Sequence, residues 1–340
     1  MLMNVAAACG LAEQALESAG YTGVDARAIA DHLIDCELRG LGFGGLARAV
    51  SVIERVQATT TPRGTITLAH ETPVSARLDG GDEVGYLVAN RVTELAIDKA
   101  RASGIAVVGA NQTWYTGMFS YYLERVTAAG FVGMAAGSGG QLVAPYGASQ
   151  ARFGTNPIAF GFPSTKQPVI WDIGTAELML GEVLLAHRLD QQLPEGKAFD
   201  RNGRPTRTPM EVLGGALTVW GGHRGSGLAL VVQLLGMLTG ASAAPEGLTD
   251  CGFLLFVVDP AVLTDADDFR RRVAAYATSV RQARLIETQC PVRVPFDRSA
   301  AERTRRLALG EVEVADEVHA ALLRVIGPDP AAAATTDSHK

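Results

Sequence analysis

In the stretch DARAIADHLIDCELRG, Ile29, Leu33 and Cys36 recur at i, i+4 and i+7. That spacing puts one apolar stripe along a helix, which Gly40 can end. TPRGTITLAHETPVSARLDGG is rich in Thr, Val and turn formers and predicts short strands. VANRVTELAIDKARASG returns to helical spacing, with Val88, Val92, Leu95 and Ala96 on one face and Gly104 as the stop. IAVVGA is a short apolar run of the kind that lies buried in a sheet. A helix over GMFSYYLERVTAAG, strands over FVGMAAG and QPVIWDIG, and a helix over AELMLGEVLLAHRL follow. The polar, turn-rich LDQQLPEGKAFDRNGRPTRTP predicts an exposed excursion. Beyond it come a core helix (GSGLALVVQLLGMLTG), a buried strand (FLLFVVD) and an amphipathic helix capped by Asp265, with Phe269, Val273, Tyr276 and Val280 aligned. The tail DPAAAATTDSHK is expected to fray. Alternating strands and helices predict an α/β fold in which helices cover a largely buried sheet, behind a helical N-terminal region.

Composition narrows the function. An apolar fraction of 47% against 19% charged residues excludes a disordered chain. A net charge of -6 argues against a general nucleic-acid binder, which needs a basic surface. Cys9, Cys36, Cys251 and Cys290 are scattered without zinc spacing, so no metal is expected and a reducing compartment is. The start shows no signal-peptide pattern. The most apolar run, Gly227 to Thr239, falls short of the roughly 20 residues a bilayer span needs and carries Gln233. No membrane contact is expected, and the cytoplasm is the default location. GxGxxG after an early strand, GxxxxGK[ST], HExxH and GxSxG are all missing. GSGG at Gly137–Gly140 could bring backbone amides to an anion or form a plain turn.

Three ordered segments carry more specific information. They are DHLIDCELRG followed by GLAR (Asp31 to Arg48); APYGASQARFGTNPIAFGFPS with VIWDIGTAELMLGEVLLAHR after it; and LPEGKAFDRNGRPTRTP leading to GGHRGSGLAL. Together, from about Ala12 to about Arg303, the chain resembles the type-2 malate/L-lactate dehydrogenase family. That family also holds sulfolactate, ureidoglycolate and diketogulonate oxidoreductases and reductases of cyclic imino acids. The resemblance implies a non-Rossmann mixed sheet flanked by helices, a homodimer, and NADPH or NADH lying extended near the subunit interface. It suggests residues 1–70 as a helical region contributing to the substrate site, 71–250 as the cofactor and substrate core, and 251–340 as the segment completing it.

The family form of the opening stretch is RGHDSHGLAR, whose second His is the acid/base and whose final Arg holds the substrate carboxylate. Arg48 keeps the Arg position, where a guanidinium fork matches a carboxylate. Phe43 replaces Ser, and Gly44 replaces the catalytic His. In NQTWYTGMFSYY, Trp114 takes the place of a second family His. The resemblance assigns Thr155 to substrate, and Asp172, Thr175, His223, Arg224, Gly225 and Arg298 to the cofactor. Phe296 replaces a family Gly and is expected to crowd the approach. Tyr115 and Tyr121 are candidate replacement proton donors.

Plainer readings stand beside these. Arg48 could serve an ion pair, Asp172 a strand-end cap, Glu182 a solvated helix face, and two of Tyr115, Tyr121 and Tyr122 the core. A positioned proton donor contributes about 10²–10⁴-fold to ketone reduction. An imine can arrive already protonated, and Phe43 and Trp114, expected to bind the substrate, would suit an apolar or cationic molecule because an aromatic face attracts a cation. The leading expectation is therefore an NAD(P)H-dependent reductase of a small carboxylate-bearing molecule with a C=N bond, such as a cyclic imine. The alternative is a repurposed scaffold that performs a cyclisation, condensation or elimination, or binds a ligand without turnover.

Overall fold

The computed structural model describes residues 1–286 and 291–327. The expected frayed tail and Cys290 lie outside the described residues. Along the chain run β1 (Leu2–Asn4), α1 (Val5–Ser18), α2 (Gly23–Leu38), α3 (Leu46–Ala58), β2 (Thr67–Glu71), β3 (Ser75–Val84), α4 (Gly85–Ser103), β4 (Ile105–Trp114), α5 (Phe119–Ala128) and β5 (Val132–Ser138). Then come β6 (Ile158–Phe162), β7 (Val169–Ile173), α6 (Leu180–Arg188), β8 (Ala198–Phe199), α7 (Pro209–Leu213), β9 (Ala216–Leu217), α8 (His223–Leu238), β10 (Cys251–Val258), α9 (Ala266–Arg281), α10 (Asp297–Leu309), β11 (Glu311–Glu313) and α11 (Asp316–Ile326). The chain divides into two compact units. One holds Met1–Pro62, Arg188–Asp190 and the residues from Ser299 onward; the other holds Arg63–His187 and Gln191–Arg298.

The first unit is helical. Asn4 starts α1 by accepting from the Ala6 and Ala7 amides. Thr22 starts α2 by accepting from the Asp25 amide, while its hydroxyl donates to the Asp25 carboxylate. The predicted stripe of Ile29, Leu33 and Cys36 is buried. Gly40, at φ +73°, turns the chain after α2. β1 pairs antiparallel with β11, which draws the C-terminal segment into this unit. At its centre the Asp35 carboxylate accepts from Arg39 at 2.6 Å and from Arg303 at 2.5 Å, with the Arg39 side chain wholly buried.

The second unit is built on a seven-stranded sheet in the order β2-β3-β4-β10-β5-β6-β7. β3 and β4 are parallel and joined through α4; the other pairs are antiparallel. Alternation sorts the side chains by face. Ala106, Val108, Phe253, Leu255, Val257 and Ala135 meet Val88, Val92, Phe119 and Leu123 of α4 and α5 in one core. Ala136 and Ile158 pack with Val232 of α8 in another cluster. α8 comes very close to the strands: a Cβ on Gly236 would stand 1.8 Å from Ser138 Oγ, so glycine is required there.

The segment from 251 is shared between the units: β10 is a central strand of the second, whereas α10, β11 and α11 lie mostly in the first. Three expectations about single elements are corrected. The helix α8 is not buried all round, because Leu230, Val231, Leu234, Met237 and Leu238 are 43% to 66% exposed. On α9 the inward residues are Ala274 and Ala277, and Tyr276 faces outward. The polar excursion is anchored, since Leu193 and Ala198 are buried with Val143, Val212 and Leu217. Among the described residues no helix is long and apolar enough to cross a membrane.

Candidate active site

In the first unit the candidates lie in the loop between α2 and α3 and in the helices on either side of it. Gly42–Gly44 form a single tight turn in which the Gly44 amide donates to the Leu41 carbonyl at 2.8 Å. Gly45 stands at the cap position of α3 with no side chain to receive an amide. Glu37 does so instead, accepting from the Leu46 N–H at 2.7 Å through Oε1. A Cβ at Gly45 would sit 2.2 Å from that oxygen, so only glycine admits the carboxyl. The second oxygen of Glu37 is buried and has no hydrogen-bond partner among the described residues. Burial pushes the Glu37 carboxyl up to about 7, against the Leu46 amide and the Arg306 charge, which pull it down.

Gly44 is not crowded. A Cβ there would meet Cys36 Sγ at 3.4 Å, ordinary contact. Phe43 beside it is half-buried, and Arg48 lies in the first turn of α3, 9% exposed. His32 is wholly buried, and burial, aided by Arg39 and opposed by Asp35, pushes it down to about 3. It is a neutral packing residue.

The second unit groups most of the remaining candidates. Trp114 ends β4 fully buried, with its indole N–H donating to the Asp82 carbonyl at 2.9 Å. The Trp114 side chain is enclosed by the unit in this conformation. Tyr115 follows at φ +51°, a strained conformation for a bulky residue, with its ring edge-on to Trp114. Tyr122 is core and donates to the Thr116 carbonyl; Tyr121 is half-buried and packs against the same cluster. Asp172 accepts from the Ser120 and Phe119 amides and so caps α5. The Thr175 amide and hydroxyl both donate to the Thr155 carbonyl, at 2.9 and 3.0 Å, and Thr175 is buried. These bonds tie the GTNP loop to the end of β7. Asn156 fastens the same loop to α8 by donating to the Ala229 carbonyl and to Gln233. Glu182 accepts from the Met179 amide and steadies the start of α6.

Burial pushes the Asp172 carboxyl up to about 6. Because the folded chain holds this proton more tightly than the unfolded one, Asp172 favours folding most below pH 4, and that contribution fades as pH rises through 6. Asp172→Asn, which can still accept from α5, is expected to gain melting temperature relative to the unaltered protein between pH 4 and pH 7. A gap that stays constant with pH would show that the carboxyl titrates normally.

At the start of α8, Gly221 and Gly222 take φ +64° and +63°, and no side chain caps the helix. His223 and Arg224 are exposed in the first turn, with the Tyr146 ring edge-on to His223 at 6.3 Å. Gly225 is fixed by packing, since a Cβ would stand 1.6 Å from the Trp220 carbonyl oxygen. Arg298 is exposed. Phe296 takes φ +82°, a conformation that favours glycine, the residue the resemblance places there, and its partly buried ring packs against the sheet core. Two residues hold more of this geometry than their sequence context suggests. Gln233 signalled itself as an amide inside an apolar run, and Glu37 as a carboxylate next to a three-glycine loop.

The sequence model of the malate/L-lactate dehydrogenase family matches residues 3–323. L-sulfolactate dehydrogenase of Methanothermobacter thermautotrophicus is 31% identical over 309 residues, 88% of each chain. Delta(1)-pyrroline-2-carboxylate reductase of Pseudomonas fluorescens is 31% identical over 319 residues, 89% of this chain and 92% of the other. Among solved structures, a dehydrogenase from Sinorhizobium meliloti superposes with a TM-score of 0.88 at 27% identity, covering 96% of this chain and 99% of that one. Delta1-piperideine-2-carboxylate reductase from Pseudomonas syringae gives 0.83 at 26% identity, with coverage of 96% and 99%. The chain belongs to the malate/L-lactate dehydrogenase family.

Proposed function

We propose that this oxidoreductase is an NAD(P)H-dependent reductase of a small carboxylate-bearing molecule, acting on a C=N bond of the cyclic imine type. The observation that carries the reading is the pairing of a retained Arg48 with a side-chain-free Gly44. The carboxylate anchor is kept while the imidazole that would protonate a ketone oxygen is gone. Two relatives whose names describe cyclic imino acid reduction support the substrate class.

The start of α8 fits an anionic dinucleotide. Its first amides lack a side-chain cap, two glycines lead into it, and His223 and Arg224 flank it. Such a helix end attracts phosphate. His223, Arg224 and Arg298 would hold the anionic groups. Asp172 and Thr175 spend their polar atoms on α5 and Thr155, so they shape the surrounding loops. When bound, the nicotinamide supplies hydride to the substrate carbon. Arg48 holds the substrate carboxylate in two parallel hydrogen bonds and fixes which carbon is presented. Nothing at position 44 has to deliver a proton if the nitrogen is already protonated. A homodimer completes the proposal, because a second copy would cover the exposed apolar side of α8.

The test incubates the protein with NADPH or NADH and a panel of cyclic imines and 2-keto acids, and checks by light scattering for twice the chain mass. Either nucleotide at 100 times its dissociation constant should add about 2.7 kcal/mol of stability. Keto acid turnover without imine turnover would overturn the substrate class. No stabilisation by either nucleotide would favour the repurposed scaffold.

A further inference from the structure

We infer that Glu37, held under the Gly42–Gly45 loop, is the proton source that replaces the missing side chain at Gly44. This rests on the C=N reductase reading. Three observations point to it. Glu37 is 2% exposed, while Gly42, the glycine nearest its Oε2, is only half-buried. Oε1 is committed to the Leu46 amide, while Oε2 lies 3.6 Å from where a Cβ of Gly42 would be and has no hydrogen-bond partner among the described residues. A buried oxygen left in that state costs free energy, and a carboxylic acid bears that cost better than a carboxylate. Third, no side chain from Gly42, Gly44 or Gly45 stands in the way.

The charged surroundings are sparse. From α10, Arg306 donates to the Glu37 carbonyl and is itself paired with Glu302. From α3 come the Leu46 amide and, two residues on, Arg48. On its own helix the nearest charges are Asp35 and Arg39, which bond each other. Burial outweighs these and leaves the acid near 7. That value suits an imine nitrogen, which can take a proton in an equilibrium before reduction. A ketone oxygen is far less basic and needs its donor in direct contact during reduction. The step balances simply. The Glu37 O–H bond breaks, an N–H bond forms on the imine, and Glu37 becomes a carboxylate. Reduction at carbon by the proposed reductant gives the amine, and Glu37 regains a proton from water.

The test compares the unaltered protein with Glu37→Gln, using Δ1-pyrroline-2-carboxylate and NADPH, and follows the protonated-carboxyl infrared band with pH. The glutamine oxygen can still cap α3, so the melting temperature should stay within a few degrees. The expected result is a fall in kcat of about 10²–10⁴-fold, loss of the pH dependence near 7, and, in the spectrum of the unaltered protein minus that of Glu37→Gln, which cancels the Asp172 carboxyl common to both, a band that disappears above pH 7. Undiminished turnover by Glu37→Gln, or no band at pH 6 in the difference between the two spectra, would overturn the assignment. If the unaltered protein reduces keto acids but no imine, the C=N reading fails and the proton role falls with it, even if the band is present.

Discussion

Gly44→His raises reduction of 2-keto acids by about 10²–10⁴-fold, the range a positioned proton donor contributes. The backbone accepts the change. Gly44 is not among the residues at positive φ, and a Cβ there reaches only ordinary contact with Cys36 Sγ at 3.4 Å. The substitution restores the family imidazole beside Arg48 in the sequence while leaving Glu37 and the cap of α3 untouched. Imine reduction should change little, since its proton is delivered before reduction. The measurement is kcat/KM for 2-keto acids and cyclic imines with the same nucleotide. A correctly folded Gly44→His protein with no gain on keto acids would show that Gly44 is not what limits the substrate range.

Asp35→Ala destabilises the protein by about 3–5 kcal/mol, the cost of removing one partner from a buried ion pair. Asp35 is shared by Arg39, whose side chain has no exposure, and by Arg303 from α10. Losing the carboxylate takes an ion-pair partner from the Arg39 guanidinium, which has no exposure to water. Arg305→Ala is the control. Arg305 binds Glu302 at the surface, where water and salt screen the pair, so its loss should leave the midpoint almost unmoved. Urea unfolding followed by circular dichroism compares the two. Equal midpoints would mean that the buried cluster is replaceable.

What could be read in the sequence was local. Ile29, Leu33 and Cys36 announced α2 because a helix face repeats within a few residues, and Gly104 announced the end of α4 because left-handed backbone favours glycine. The GTNP and GGHRG motifs placed the family because their residues are contiguous. What depended on distant partners could not be read. Trp114 looks like a pocket residue until Asp82 is seen to hold its indole inside the unit. Tyr276 fits the α9 stripe, but Ala274 and Ala277 allow the closer approach. That Thr175 bonds Thr155 and Asp172 bonds Ser120 could not be read, because these partners lie 20 and 52 residues away. Glu37 acts on an amide nine residues ahead, across a turn with no periodic signal.

The place of β10 has a consequence for how the chain is made. This strand bonds to β4 on one side and β5 on the other, yet it is synthesised long after both. Until it emerges from the ribosome, a β2-β3-β4 half and a β5-β6-β7 half each present a bare row of amides and carbonyls, the kind of edge that recruits strands from other molecules. Any truncation before Cys251 should therefore yield insoluble aggregates and no smaller working enzyme. Helper proteins that shield nascent chains should matter most for this one while residues 139–250 are being added.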